Sequence, residues 1–145
     1  MEHVVITIAR QYGSGGRTVG KMLAKDLGIS CYGSNLLKMA SEESGISEQL
    51  FCQLDEKLKN SPFLRLSTDI YTGDLIPPES SDFVSAKNLF NYQAKVIKRL
   101  AKEESCVIIG RAADFILKDS KNVVSVFVHG SEEFNLARAM EQNSM

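Results

Sequence analysis

The sequence predicts an α/β domain built on a parallel sheet, and three observations predict it. Val4–Ala9, Cys106–Ile109 and Val123–Val128 are apolar runs rich in β-branched residues, too continuous for strands with one solvated face. Segments with helical spacing separate them, as crossovers between parallel strands require. The first run leads at once into a glycine cluster, Gly13, Gly15 and Gly16, and then into a helical pattern, the order in which a strand, a phosphate-cradling loop and a helix are written.

Each element has its own justification. After the Val4–Ala9 strand and the glycine loop, Arg17–Leu27 reads as a helix, with Val19, Met22, Leu23 and Leu27 as its apolar stripe and Gly28 at the residue after its end. Ile29–Tyr32 reads as a short strand, which brings the expected strands to four. Ser34 is a candidate N-cap for a helix over Leu36–Glu43, and Ser47 for a further one carrying Leu50, Phe51, Leu54 and Leu58, with Lys57 and Lys59 in its last turn. From Asn60 to Asp82 the pattern dissolves around Pro62, Gly73 and Pro77-Pro78, which predicts a long flexible loop, either a substrate-side flap or a solvated stretch without a role, carrying Arg65, Asp69, Tyr71 and Asp74. Phe83–Ala101 recovers helical spacing and feeds the second apolar run. Phe115–Leu117 suggests a short helix, and Ser131 with Glu132 and Glu133 starts a last one.

Gly13, Gly15 and Gly16 lack Cβ, so the backbone there is free to curl into a nest of N–H groups that a phosphate approaches closely. The helix beginning near Arg17 adds unpaired N–H groups and the positive end of its dipole. Arg17 supplies a full charge and Thr18 a hydroxyl suited to Mg²⁺. Set against G-x-x-x-x-G-K-[ST] with Gly16 as the last glycine, the chain has Gln11 where glycine belongs and Arg17 where lysine belongs. A glycine-rich turn without a ligand is the competing reading. Gly110-Arg111 directly after the second apolar run places a charged side chain at the carboxyl end of a buried strand, where open α/β sheets bind ligands.

Composition bounds the rest. A chain of 145 residues, 43% hydrophobic and 24% charged, is the size of one domain, 1–145. A net charge of −1 gives no general attraction to nucleic acid or to an anionic membrane, so an anion site must be local, and Arg10, Arg17 and Lys21 form such a cluster. No apolar run approaches a membrane span, and the start lacks a basic region and a cleavage site, so the cytosol is the expected compartment. Cys31, Cys52 and Cys106 match neither a metal knuckle nor a disulfide framework.

The opening I-T-I-A-R-Q-Y-G-S-G-G-R-T-V-G-K-M-L-A, the later A-S-E-E-S-G-I-S-E-Q-L-F and C-V-I-I-G-R-A-A-D-F-I-L together resemble the cytidylate kinase-like family of nucleoside monophosphate kinases. The resemblance implies a three-layer α/β/α P-loop kinase fold, incomplete at its carboxyl end because the family's lid and final strand and helix have no counterpart after Met145. It implies transfer of the γ-phosphoryl of ATP to a nucleoside monophosphate, CMP or dCMP, with Mg²⁺. Gly13, Ser14, Gly15, Gly16, Arg17 and Thr18 then hold the ATP phosphates, Arg17 in the role of the invading lysine and Thr18 as the Mg²⁺ ligand. Arg111 grips the acceptor phosphate and Ser34 contacts the acceptor nucleotide, with Gln93 and Tyr71 weaker acceptor-side candidates that also fit structural roles. The chain has Gly33 and Ala112 where aspartates are usual in the family, with Asp114 two residues on, and Arg138 lies on the helix that would lead to the lid. A nucleotide-binding module without catalysis and a P-loop kinase for another small-molecule acceptor are the alternatives.

Overall fold

The structure, a computed structural model, describes residues 3–11, 13–60, 75–81, 83 and 85–143. Arg65, Asp69, Tyr71 and Asp74 lie outside the described residues, as do the side chains of Lys57, Leu58 and Lys59. Two compact units are present, one formed by 1–33 with 100–145 and the other by 34–99.

The first unit holds the sheet. Strand β1 (Val5–Arg10) runs into helix α1 (Gly16–Leu27) and strand β2 (Ser30–Tyr32). Strand β3 (Cys106–Ile109), the short helix α5 (Ala113–Ile116), strand β4 (Val123–Val128) and helix α6 (Glu132–Asn143) follow. The four strands pair in the order β2-β3-β1-β4, all parallel. In β1 and β3 both faces are covered: Ile8 and Val107 lie on the side of α1, while Val5, Thr7, Cys106 and Ile108, of opposite parity, are no more exposed. That double burial is why these runs lack polar alternation.

The sheet corrects two expectations. Strand β4 is expected to be buried on both faces, but among the described residues it pairs with β1 alone and leaves Val124 and Phe127 more than half exposed. In α1, Val19, Met22 and Leu27 are exposed, and the buried face is Gly16, Gly20 and Ala24. The cause is proximity: a Cβ on Gly20 would stand 2.9 Å from Ile109 Cδ1 and 3.0 Å from Ile8 Cδ1. Small residues at this spacing let the helix lie closer to the strands than a leucine stripe permits. Gly28 closes the helix at φ 66°, donating its N–H to the last-turn carbonyls of Ala24 and Lys25.

The second unit holds helices α2 (Asn35–Ser44), α3 (Glu48–Asn60) and most of α4 (Ala86–Glu103). Its buried residues include Leu36, Leu37, Ala40, Phe51, Leu54, Phe90, Val96 and Ile97. Glu43 joins α2 to α4 through Lys95 Nζ at 3.1 Å and Arg99 Nη1 at 2.7 Å. Ser47 caps α3, its Oγ accepting the N–H of Gln49 at 3.2 Å, as its position predicts. Ser34, in contrast, is already helical at φ −62° and ψ −24° and makes no side-chain cap. Helix α4 starts at Ala86 rather than Phe83; Phe83 belongs to the preceding turns, where its carbonyl accepts from Asn88 Nδ2 at 2.7 Å.

Candidate functional site

Strand order locates the site. The chain leaves β1 through α1 toward β2 on one side, and leaves β3 through α5 toward β4 on the other. With right-handed crossovers those two helices fall on opposite faces, so the carboxyl ends of the adjacent strands β1 and β3 form a topological switch point, where open α/β sheets bind ligands. Both motifs singled out in the sequence, the glycine loop and Gly110-Arg111, leave the sheet there.

The loop has the backbone of an anion nest. Gly13 has φ 80° and Gly15 φ 86°, left-handed values that a residue with a side chain adopts only at a cost. Ser14 N–H closes the turn on the Gln11 carbonyl at 3.1 Å. Gly15 caps α1 with no side chain, so the amides of Gly16, Arg17 and Thr18 are the unpaired donors of a helix start, and no acidic residue sits in that first turn. Ser14 is only 7% exposed, and its Oγ is buried without a hydrogen-bond partner. A buried hydroxyl in that condition and two left-handed glycines fit a polyphosphate. Arg17 and Thr18 are exposed, and Thr18 is free to reach a metal that arrives with phosphates. Among the described residues no group of three or more His, Cys, Asp or Glu could hold one by itself.

The loop is tied to the neighbouring elements. Gln11 donates its backbone N–H to the Val128 carbonyl at 3.1 Å. Its side-chain Oε1 accepts from Gly130 N–H at 3.3 Å and from Asn135 Nδ2 at 3.0 Å. Gly13 lies so close to the Asn135 backbone carbonyl of α6 that no Cβ fits between them. The same helix brings Arg138 to the loop, where its Nε would be 3.6 Å from a Cβ on Gly15. That Nε is buried with no hydrogen-bond partner, and the guanidinium stands 6.0 Å from the Phe134 ring.

On the β3 side, Gly110, Arg111 and Ala112 are three consecutive left-handed residues, at φ 69°, 61° and 55°. For Arg111 and Ala112 this conformation costs about 1–2 kcal/mol each. Such strain persists where surrounding structure imposes it, and it concentrates at ligand sites. Gly110 N–H donates to the Ile8 carbonyl at 2.8 Å, which keeps the turn against β1.

These features converge with sequence comparison, in which the pattern of the cytidylate kinase-like family matches residues 5–145. The chain belongs to that family. No curated protein sequence matches it. Among solved structures, an uncharacterized protein from Eubacterium ventriosum ATCC 27560 is 26% identical with a TM-score of 0.63, over 99% of this chain and 63% of that one. This member of the cytidylate kinase-like family therefore spans less than two thirds of that relative's length. A gluconokinase from Sinorhizobium meliloti 1021, 18% identical with a TM-score of 0.53, covers 98% of this chain and 66% of its own, and shares the fold.

The expected site residues divide between the units. Gly13 to Thr18 and Arg111 are in the sheet unit, in the segments that follow the paired strands β1 and β3. Ser34 and Gln93 are in the helical unit, Ser34 exposed at the start of α2 and Gln93 buried on α4. Sequence reasoning left Asn135 out, treated Gln11 only as a departure from a motif, and placed Arg138 on a helix without a contact. A pairing of residues 11 and 135 has no local signal. The displaced titrations lie on β2 and β3: burial pushes the Cys106 thiol up to about 11, helped by Glu104 and Cys31. Burial likewise raises Tyr32, whose hydroxyl also donates to Glu104 at 2.7 Å.

Proposed function

We propose that the chain carries the phosphoryl-transfer site of a nucleoside monophosphate kinase, moving the γ-phosphoryl of ATP to CMP or dCMP. The observation that carries this reading is the meeting of two loops at the ends of β1 and β3. One has two left-handed glycines and the open amides of a helix start, which suit a phosphate, and the other, at the end of the paired strand, holds Arg111 in a strained conformation. Family membership supports the reaction class.

In this reading the amides from Gly13 to Thr18 bind and orient the phosphates of ATP, with Ser14 Oγ a further donor inside the loop. Arg17 lends charge from the first turn of α1. The Thr18 hydroxyl would hold Mg²⁺, which supplies neutralisation of the phosphate oxygens. Arg111 aligns an acceptor phosphate oxygen with the γ-phosphorus; the bond from that phosphorus to the β–γ bridging oxygen breaks as the new P–O bond forms, leaving ADP and a nucleoside diphosphate. A phosphate acceptor is already an anion, so no strong general base is required.

The test is coupled ADP production with ATP, Mg²⁺ and a panel of CMP, dCMP, UMP, AMP, GMP and gluconate, beside calorimetric titration of ATP. Turnover selective for CMP or dCMP is the expected result. ATP binding without turnover would support the nucleotide-binding module instead, and turnover with gluconate the kinase for another acceptor. Neither binding nor turnover in a folded sample would remove the phosphate-loop reading altogether.

A further inference from the structure

We infer that Arg10, at the end of β1, is the cation of the phosphate loop, standing in for the lysine that the motif would place on the first residue of α1. This rests on the reading of the loop as a polyphosphate site.

The helix start sets the register. Gly15 is the N-cap and Gly16 the first helical residue. Aligned on the glycine that caps the helix, G-x-x-x-x-G-K-[ST] puts its first glycine at Arg10, its lysine at Gly16 and its hydroxyl residue at Arg17, so Thr18 follows the motif by one residue. The chain has therefore exchanged the two: a cation at the strand end, a glycine at the helix start. Packing explains why the exchange must be made as a pair. Arg10 follows Ile6 and Ile8 in parity, so its side chain leaves β1 toward α1. A Cβ on Gly16 would stand 2.6 Å from Arg10 Cβ and 2.9 Å from Arg10 Cδ. The stem of Arg10 thus occupies the space through which a side chain at residue 16 would leave the helix.

The far end of Arg10 points at the second loop. A Cβ on Gly110 would lie 2.8 Å from Arg10 Nη1. Glycine at 16 admits the stem and glycine at 110 admits the guanidinium, which places a permanent charge between the amides of the first loop and the strained turn of Arg111. Arg17, one residue into the helix, is exposed by comparison. The ligand this arrangement takes is the polyphosphate chain of a nucleoside triphosphate. A planar guanidinium engages two phosphate oxygens at once, where a lysine ammonium acts as a point charge.

Binding of MgATP and of inorganic tripolyphosphate is measured by calorimetry for the unaltered chain and for Arg10→Met, Arg10→Lys, Arg17→Ala, Arg10→Gly and the pair Arg10→Gly with Gly16→Lys. Arg10→Met keeps the packed stem and removes the charge; the expected loss is roughly 10- to 100-fold for both ligands, the worth of a hydrogen bond to a charged group. Arg10→Lys should lose less than Arg10→Met, and Arg17→Ala less again. The pair should recover affinity lost in Arg10→Gly, because a lysine at 16 then has both a route and a purpose. Should Arg10→Met prove unfolded by circular dichroism, Arg10→Lys and the paired variant decide. Full affinity in a folded Arg10→Met, with the loss appearing in Arg17→Ala, would overturn the assignment and leave Arg10 a packing stem. Absence of binding by the unaltered chain would overturn the loop reading and this inference together, which separates the two failures.

Discussion

Asn88 offers a stability test that can be worked from geometry. It is fully buried on α4, and its side chain holds the turns before the helix. Oδ1 accepts the Ile76 N–H at 2.8 Å, and Nδ2 donates to the Phe83 carbonyl at 2.7 Å and more weakly to the Ile76 carbonyl at 3.4 Å. Two good bonds contribute about 1 kcal/mol each. Truncation in Asn88→Ala also strands the Ile76 and Phe83 backbone groups, but both residues are half-buried, so water recovers part of that penalty. The expected loss is about 2–3 kcal/mol, a fall in the urea midpoint of about 1–2 M at an ordinary slope for this size. Equilibrium urea unfolding followed by circular dichroism reads it, and Asn88→Asp, which turns an ionised oxygen toward the Phe83 and Ile76 carbonyls in a fully buried site, should lose at least as much at neutral pH. A loss below about 0.5 kcal/mol for Asn88→Ala, at unchanged slope, would refute the claim that this amide organises the segment. If the two units unfold in separate transitions, the loss should fall in the transition of the helical unit alone.

Three further outcomes follow from other parts of the molecule. Arg111→Gly relieves a left-handed residue worth about 1–2 kcal/mol, offset by the ~0.5–1 kcal/mol entropy cost of glycine; thermal stability should hold or rise by a few degrees while the KM for the acceptor nucleotide rises at least about tenfold. Cys106, raised from 9.0 to about 11, keeps its proton in the folded chain over a range where the unfolded chain has lost it. Its contribution to stability is therefore complete below pH 9 and fades as pH climbs toward 11, and Cys106→Ala should flatten that part of a melting-temperature profile. At pH 8 iodoacetamide should label exposed Cys52 and spare buried Cys106, as peptide mapping would report.

The legible parts of this protein were those written in contiguous residues. The runs that became β1 and β3 announce burial on both faces, because no polar residue interrupts them except Thr7, itself buried. The glycine loop, the caps at Ser47 and Ser131, and the turn at Gly110-Arg111 could be named because each depends on a few neighbours. Ser131 Oγ, for example, accepts from Phe134 N–H at 3.1 Å, a contact three residues long. The buried face of α1 was also present, in the spacing of Gly16, Gly20 and Ala24, but an apolar stripe of larger residues concealed it.

By itself, then, the sequence determined a parallel α/β sheet, a glycine-rich loop after its first strand, and the family. Tertiary structure decided the strand order β2-β3-β1-β4, which depends on which strands pair and not on how apolar each one is. It also decided which side chains stand at the loop. Gln11 meets Asn135 across 124 positions of chain, and Arg10 reaches from the first strand to the turn after the third. Such contacts depend on distances of a few ångströms between elements that the chain order leaves far apart, and a motif read along one strand of sequence has no means of recording them.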